Sequence, residues 1–484
     1  MYFPTATAAA IDNDIAGFAP ASITFGYGTG VVTIGGNAIT GVAAVTNLSD
    51  NTQTFECPVA FADRIFVSQK AKGWDSRAQS SVRFAGGVTG TTFADGTARF
   101  LNGTYNLSTA EDWVANTYND DTRWGIPQGS SLTVPLAENT VELAIGQADS
   151  VDGGAFTAGV VRTTGRICCW NKGEYVVTNE LVFTLPGADR HVSYQSSDGA
   201  FKFEKITLGD QGASKWLYFA NEGNYNYTKN VWIGAGGLNF ADGASDDTAY
   251  ACGVRAGDVV YLRPWHSDYT IAAKQVARAD FVVYHETHIG TVDENGVART
   301  VTCDGHIRNI GTGRAIVEGS GTFVVKSPAY LSSNNDNGTW TVTAPATLAL
   351  TPGANLGIGA ATVNAGATLA VSESGTVVQG GALTLADGAA LGFNFTQKKV
   401  APVLDLTDKT VTVNGEVKVK VTAATGIRPI IKSNQFALTS GGNFTGASVA
   451  LAEGSADWVK DVSVDENGNI VLTLKSTGIY ILVR

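Results

Sequence analysis

The sequence predicts an all-β chain wound as a right-handed parallel β-helix, a solenoid, with an antiparallel β cap at its C-terminal end. Three observations predict it. The first is a period. Ala346-Thr347-Leu348-Ala349-Leu350, Ala367-Thr368-Leu369-Ala370-Val371 and Ala389-Ala390-Leu391-Gly392-Phe393 place their central leucines 21 and then 22 residues apart. The second is punctuation: Pro352-Gly353, Ala365-Gly366, Ser374-Gly375 and Asp387-Gly388 flank these apolar runs with turns. The third is alternation, in which inward Leu, Ala and Val alternate with outward positions that include Thr347, Thr368, Ser372 and Asn394, as a half-exposed strand requires. A repeat of this length is too short for a helix pair and fits one coil of a β-solenoid.

The physics of such a coil is simple. Its inward row of Leu, Ala and Val has no second layer to bury it. Stacking the next coil on top pairs backbone N–H and C=O groups at about 4.8 Å and sets leucine on leucine. Crossovers between parallel strands of one sheet are expected to wind right-handed. Divided by its repeat, the chain makes about 18–22 coils.

Composition agrees. Glycine supplies 57 of 484 residues, well above the typical ~7 %, and charged residues are 16 % against a typical ~25 %. That mix suits many short strands and many turns. The formal charge of −11 argues against a nucleic-acid partner, because phosphate binding needs a concentrated basic face. No run of 18 apolar residues offers a membrane span. The opening Met1-Tyr2-Phe3-Pro4 has neither the basic nor the apolar region of a signal peptide. Met1, the one methionine, reads as an initiator ahead of an excised mature segment, or as a natural cytosolic start. The five cysteines, Cys57, Cys168, Cys169, Cys252 and Cys303, are too irregular for a disulfide framework and read as small apolar residues of the coil interior.

In chain order, Ile23–Phe55 is a series of strands of four to five residues between Gly/Asn turns, and Ser81–Gly90 continues it. Residues 101–130 interrupt the pattern as a loop insertion. Within it, Ser108–Val114 reads as a short capped helix, and 116–129 as a polar loop. Strands resume at Ser131 and run through Trp232-Ile233 and Phe323-Val324 to Phe395. We therefore expect one β-helix over 1–396. After Gln397 the glycine period is lost. Val411–Val419 with Asn414-Gly415, and Val462–Leu472 with Asn467-Gly468, carry hairpin signals. Residues 397–484 are expected to form a β-rich cap over the last coil, shielding strand edges that would otherwise recruit other chains.

These residues carry a resemblance. Ile23–Phe55 with Gly86-Gly87-Val88-Thr89-Gly90, then Val231–Phe240 with its Gly236-Gly237-Leu238-Asn239-Phe240 core, the 346–395 block and Gly468–Leu474 together resemble the autotransporter-associated β-strand repeat family. The resemblance covers most of the chain in patches, with short motifs. It implies a secreted or surface-displayed bacterial β-helix and supplies no catalytic residues. Full-length autotransporters end in a membrane barrel of alternating strands of about 10 residues. The stretch ending Gly478-Ile479-Tyr480-Ile481-Leu482-Val483-Arg484 lacks that pattern.

Three places invite chemistry. Asp120, Asp121 and Arg123, beside Trp113, Tyr118 and Trp124, are the candidate glycan-binding residues. Aromatic rings next to carboxylates suit sugar faces. Two carboxylates also suit acid/base cleavage, and a plain polar loop with aromatics packed on the coil beneath fits as well. Four of the five histidines fall between His266 and His306. A zinc site from His285, His288, Cys303 and His306 is conceivable, but residues three apart on a strand point to opposite faces, so surface positions are expected. Asp242, Asp246 and Asp247 read as an acidic turn rather than a Ca²⁺ site, because the calcium-binding glycine repeat is absent. No catalytic residue, metal site or cofactor is expected.

The sequence thus points to a non-catalytic structural or adhesin-like β-helix of the extracellular space or cell surface, binding a surface, a glycan or a protein partner. The alternative is a polysaccharide-active lyase or hydrolase on the same fold, since fold does not decide function. Three or more carboxylates converging in a cleft on one long face would favour the enzyme. A flat Thr/Asn face would favour adhesion.

Overall fold

The computed structural model describes residues 1–4, 9–49, 51, 53–62, 67–69, 82–89, 100–106, 113–115, 131–139, 142–145, 155–163, 166–169, 173–184, 190–194, 200–209, 215–218, 228–240, 250–254, 259–271, 279–283, 285–309, 311–326, 337–354, 356–357, 359–430 and 435–475. Among the described residues there is no helix, and strands pair with the next coil in parallel over most of the chain. The chain forms a parallel β-solenoid of two compact units, Met1–Thr248 and Ala249–Arg484.

In the first unit, Ser131–Asn139, Ala155–Thr163, Glu174–Thr184, Ala200–Gly209 and Thr228–Phe240 follow one another as parallel neighbours. Phe156, Tyr175, Phe201 and Val231 are register mates and all are buried. Their rings stack up the interior at 4.7 Å and 5.7 Å. Nearer the N-terminus, Phe3, Phe25, Phe55 and Phe84 make a second aromatic column with successive centroids 4.9, 6.0 and 5.2 Å apart. The long strands turn a corner without breaking. Phe203 opposes Ile233 while Lys205 opposes Gly237, so Gly234–Gly236 bulge out. A Cβ on Gly236 would lie 2.5 Å from Lys205 Cβ, so the bulge needs glycine there.

The second unit has walls that can be followed coil by coil. The first wall runs through Val259–Pro264, Glu286–Gly290, Arg314–Glu318, Thr339–Val342, Ala361–Val363, Leu383–Leu385 and Val411–Val413. The second runs through Tyr269–Ile271, Thr300–Cys303, Thr322–Val325, Thr347–Leu350, Thr368–Val371, Ala390–Phe395, Glu416–Ala423 and Ser448–Leu451. Phe323, Leu348, Leu369, Leu391 and Val419 are register mates in one buried column, so the expected layering is present. Each fully buried leucine contributes about 1.5–3 kcal/mol. Trp340 lies inside the coil with its indole N–H donating to the Leu356 carbonyl at 3.0 Å, the partner a buried indole needs.

The structure revises three details. The 21–22-residue period is local. Val259 to Glu286 is 27 residues, Glu286 to Arg314 is 28 and Leu383 to Val411 is 28, so the chain holds fewer coils than a uniform period gives. Ala365-Gly366 and Asp387-Gly388 keep corners short, whereas longer corners carry extra residues that the sequence alone does not assign to any coil. Second, Val411–Val413 and Glu416–Ala423 are not a hairpin. They pair in parallel with Leu383–Leu385 and Ala390–Phe395 on two different walls. Asn414-Gly415 is the corner between them, with Gly415 at φ 105°. Parallel ladders therefore continue past Gln397, and the antiparallel sheet of this end is Gln435–Ala437, Ile470–Leu474 and Val459–Val464. The expected hairpin within 462–472 belongs to it, its turn held by Asp465 Oδ1, which accepts from the Asn467 and Asn469 amides. Third, Trp113–Ala115 is a strand in register with Ala137–Asn139, where a helix end was expected. Ladder hydrogen bonds and the strand preference of Trp and Val outweigh the capping signal.

Candidate functional site

The first wall of the second unit changes character along its length. Over its first three strands the outward positions include Tyr261, Arg263, Glu286, His288, Arg314 and Glu318, with Val259 and Ile316 among them. Glu286 opposes Val259 and Arg314, and His288 opposes Tyr261 and Ile316. Strand alternation puts Glu286 and His288 on the same outer face while Thr287 and Ile289 are buried. His288 Nε2 meets Glu286 Oε1 at 3.0 Å and Nδ1 meets Glu318 Oε2 at 2.9 Å. Tyr261 stacks on the imidazole with centroids 4.1 Å apart, and the Arg263 guanidinium lies 4.9 Å from the Tyr261 ring. Arg314 pairs with Glu286 across the ladder, and Arg263 Nη2 reaches Glu318 Oε1 at 3.7 Å.

Gly290 permits this convergence. It stands opposite Glu318 in the ladder, and a Cβ there would come within 3.0 Å of Arg263 Cγ. With no side chain at Gly290, Arg263 from the coil before and Glu318 from the coil after approach each other over it. Both glutamates and His288 are largely shielded, with side-chain exposures of 18 %, 28 % and 12 % for Glu286, Glu318 and His288. Burial alone pulls the His288 imidazole down in pKa. The hydrogen bonds to Glu318 and Glu286, with their charges, outweigh it and hold His288 above its ordinary value. Glu286 is held below its ordinary range, first by the His288 hydrogen bond and then, against burial, by the charge of Arg314.

From Thr339 onward the same wall carries small, uncharged side chains. Thr341, Thr362, Thr384 and Thr412 are register mates in one outward row. Thr339, Ala360, Ala382 and Thr410 flank it on one side, and Thr343, Asn364, Ala386 and Asn414 on the other. The rows repeat at about the 4.8 Å strand spacing. Each β-branched threonine has few rotamers to lose on contact. The second wall has a parallel row, Thr300, Thr322, Thr347 and Thr368.

Of the glycan-binding candidates, Trp113 lies in its strand, and Tyr118, Asp120, Asp121, Arg123 and Trp124 lie outside the described residues. Asp242, Asp246 and Asp247 also lie outside them. Two members of the conceivable zinc set are engaged elsewhere, and the side chain of His306 lies outside the described residues. His288 is engaged by two carboxylates, while Cys303 is buried with its thiol donating to the Gly305 carbonyl. Burial pushes that thiol up to about 12, which leaves it unreactive as a nucleophile. Among the described residues no group of three or more His, Cys, Asp or Glu side chains could hold a metal ion, and no helix is long and apolar enough to cross a membrane.

Sequence reasoning missed Glu318. A 21–22-residue period places residues 309–310 above His288, whereas the true coil is 28 residues long and brings Ile316 above it, with Glu318 on the adjacent diagonal. The threonine row was within reach, because Thr341, Thr362 and Thr384 keep the period. No family model matches this sequence, and no curated protein or solved structure matches it.

Proposed function

We propose that this chain is a non-catalytic, adhesin-like β-helix of the extracellular space or cell surface, which binds a surface, a glycan or a protein partner through its outer walls. The observation that carries the reading is the flat face of Thr341, Thr362, Thr384 and Thr412 with its Ala, Thr and Asn flanks. A rigid array of hydroxyls and methyls offers repeated weak contacts at little entropic cost. It has no group suited to bond cleavage.

A second reading is favoured by one feature, the two carboxylates that meet at His288. A polysaccharide-active enzyme could use such a pair. Incubating the protein with a panel of acidic and neutral polysaccharides, and scoring both retention and new reducing or unsaturated ends, separates the readings. Adhesion predicts retention without new ends, weakened by Thr362→Lys with Thr384→Lys. New ends that disappear with Glu286→Gln or Glu318→Gln would overturn it.

A further inference from the structure

Adjacent coils of a parallel solenoid are joined by neutral backbone hydrogen bonds and by apolar columns, neither of which responds to pH near neutrality. The Glu286–His288–Glu318 group is different. The imidazole touches a carboxylate with each ring nitrogen, at 3.0 Å and 2.9 Å, and the two carboxylates come from successive coils. A neutral imidazole has one N–H and one lone pair; the imidazolium has two N–H groups. Both contacts are therefore hydrogen bonds when the ring is charged. With a neutral ring, one nitrogen turns a lone pair toward a carboxylate.

We propose that His288 is a pH-operated clip between the coils of Glu286–Gly290 and Arg314–Glu318, closed when the imidazole is protonated and open when it is neutral. Among the described residues, titratable and charged groups face it from three coils. Glu286 lies on its own strand, with His285 just before it. Tyr261 and Arg263 come from the coil before, and Arg314 and Glu318 from the coil after. Arg314 pairs with Glu286 Oε2 and Arg263 reaches Glu318 Oε1, contacts that do not need a charged imidazole, so opening loosens this stretch of wall without unfolding the unit.

The sign follows from the directions of the shifts. His288 is held above its ordinary value, so its contribution is fully present below the unfolded-state pKa and is lost as pH rises through the folded value. Glu286 is held below its ordinary range, so its contribution is present above the unfolded carboxylate value and is lost as pH falls through the folded one. The clip is closed in the mildly acidic window between these limits.

The test is backbone hydrogen exchange on the full chain over a pH series from about 5.5 to about 9.5, which starts below an ordinary histidine and runs well past it because His288 is held above its ordinary value. Rates are corrected for intrinsic exchange. Peptides covering 286–290 and 314–318 are expected to lose protection several-fold toward the high-pH end, while those covering 361–363 and 383–385 do not change. His288→Gln abolishes the difference. Glu318→Gln also abolishes it while keeping the wall protected at the high-pH end, because an amide can donate to the neutral ring. That variant guards against reading a folding failure of the first as support. Equal pH-dependent loss in wild type and His288→Gln, or no loss in wild type, overturns the proposal.

Discussion

Leu369 stands between Leu348 and Leu391 in a single inward column and is 2 % exposed. Its side chain belongs to two interlayer contacts at once, so its loss opens a cavity that neither neighbour can fill without breaking register. Leu369→Ala is expected to destabilise the second unit by about 2–5 kcal/mol, read as a lower denaturant midpoint with an unchanged slope. A loss below about 0.5 kcal/mol would place the residue outside a packed column. Glycines matter at the same scale for a different reason. A Cβ on Gly359 would lie 1.7 Å from the Gly338 carbonyl oxygen of the coil before, so backbone meets backbone at that corner.

At the scale of elements, the last coils are closed by the antiparallel sheet. Phe395 ends its strand on the second wall and meets Phe436 and Trp458 edge-on, with centroids 5.3 Å and 5.5 Å away. Ile470 and Leu472 of that sheet are buried, as is Leu438 just after its strand Gln435–Ala437. Phe395→Ala is expected to cost about 3–5 kcal/mol and to raise hydrogen exchange in Val459–Val464 and Ile470–Leu474 before the Leu348 column responds. Equal exchange increases along both would mean the sheet is not a separable lid. How legible each element is depends on what defines it. The 346–395 strands could be read directly, because alternation, a fixed period and glycine corners agree there. Val411–Ala423 could not, since an Asn-Gly turn between alternating strands looks the same in a hairpin and at a coil corner. The difference lies in Leu383–Phe395, one coil earlier, which supplies partners for both strands. The Glu286–His288–Glu318 group was half legible. The histidines stand out in sequence, but the coil length that brings Glu318 to them is set by corner residues with no periodic signature.

At the scale of the whole molecule, register is what orders the described coils, setting successive strands of a wall into shared inward columns and outward rows. The threonine face, the His288 clip and the leucine column all depend on it, because a slip of one residue would turn inward side chains outward. Register can be measured directly by disulfide trapping at outward positions. Thr362 and Thr384 are register mates, so their Cα atoms lie about 4.8 Å apart, within the range a disulfide spans. The described free cysteines, Cys57 and Cys303, are buried. Under mild oxidation, the pair Thr362→Cys with Thr384→Cys is expected to form an intramolecular disulfide in nearly every molecule, whereas Thr362→Cys with Ala386→Cys forms little. Efficient bonding of the offset pair, or failure of the matched one in folded protein, would contradict the stacked-coil account.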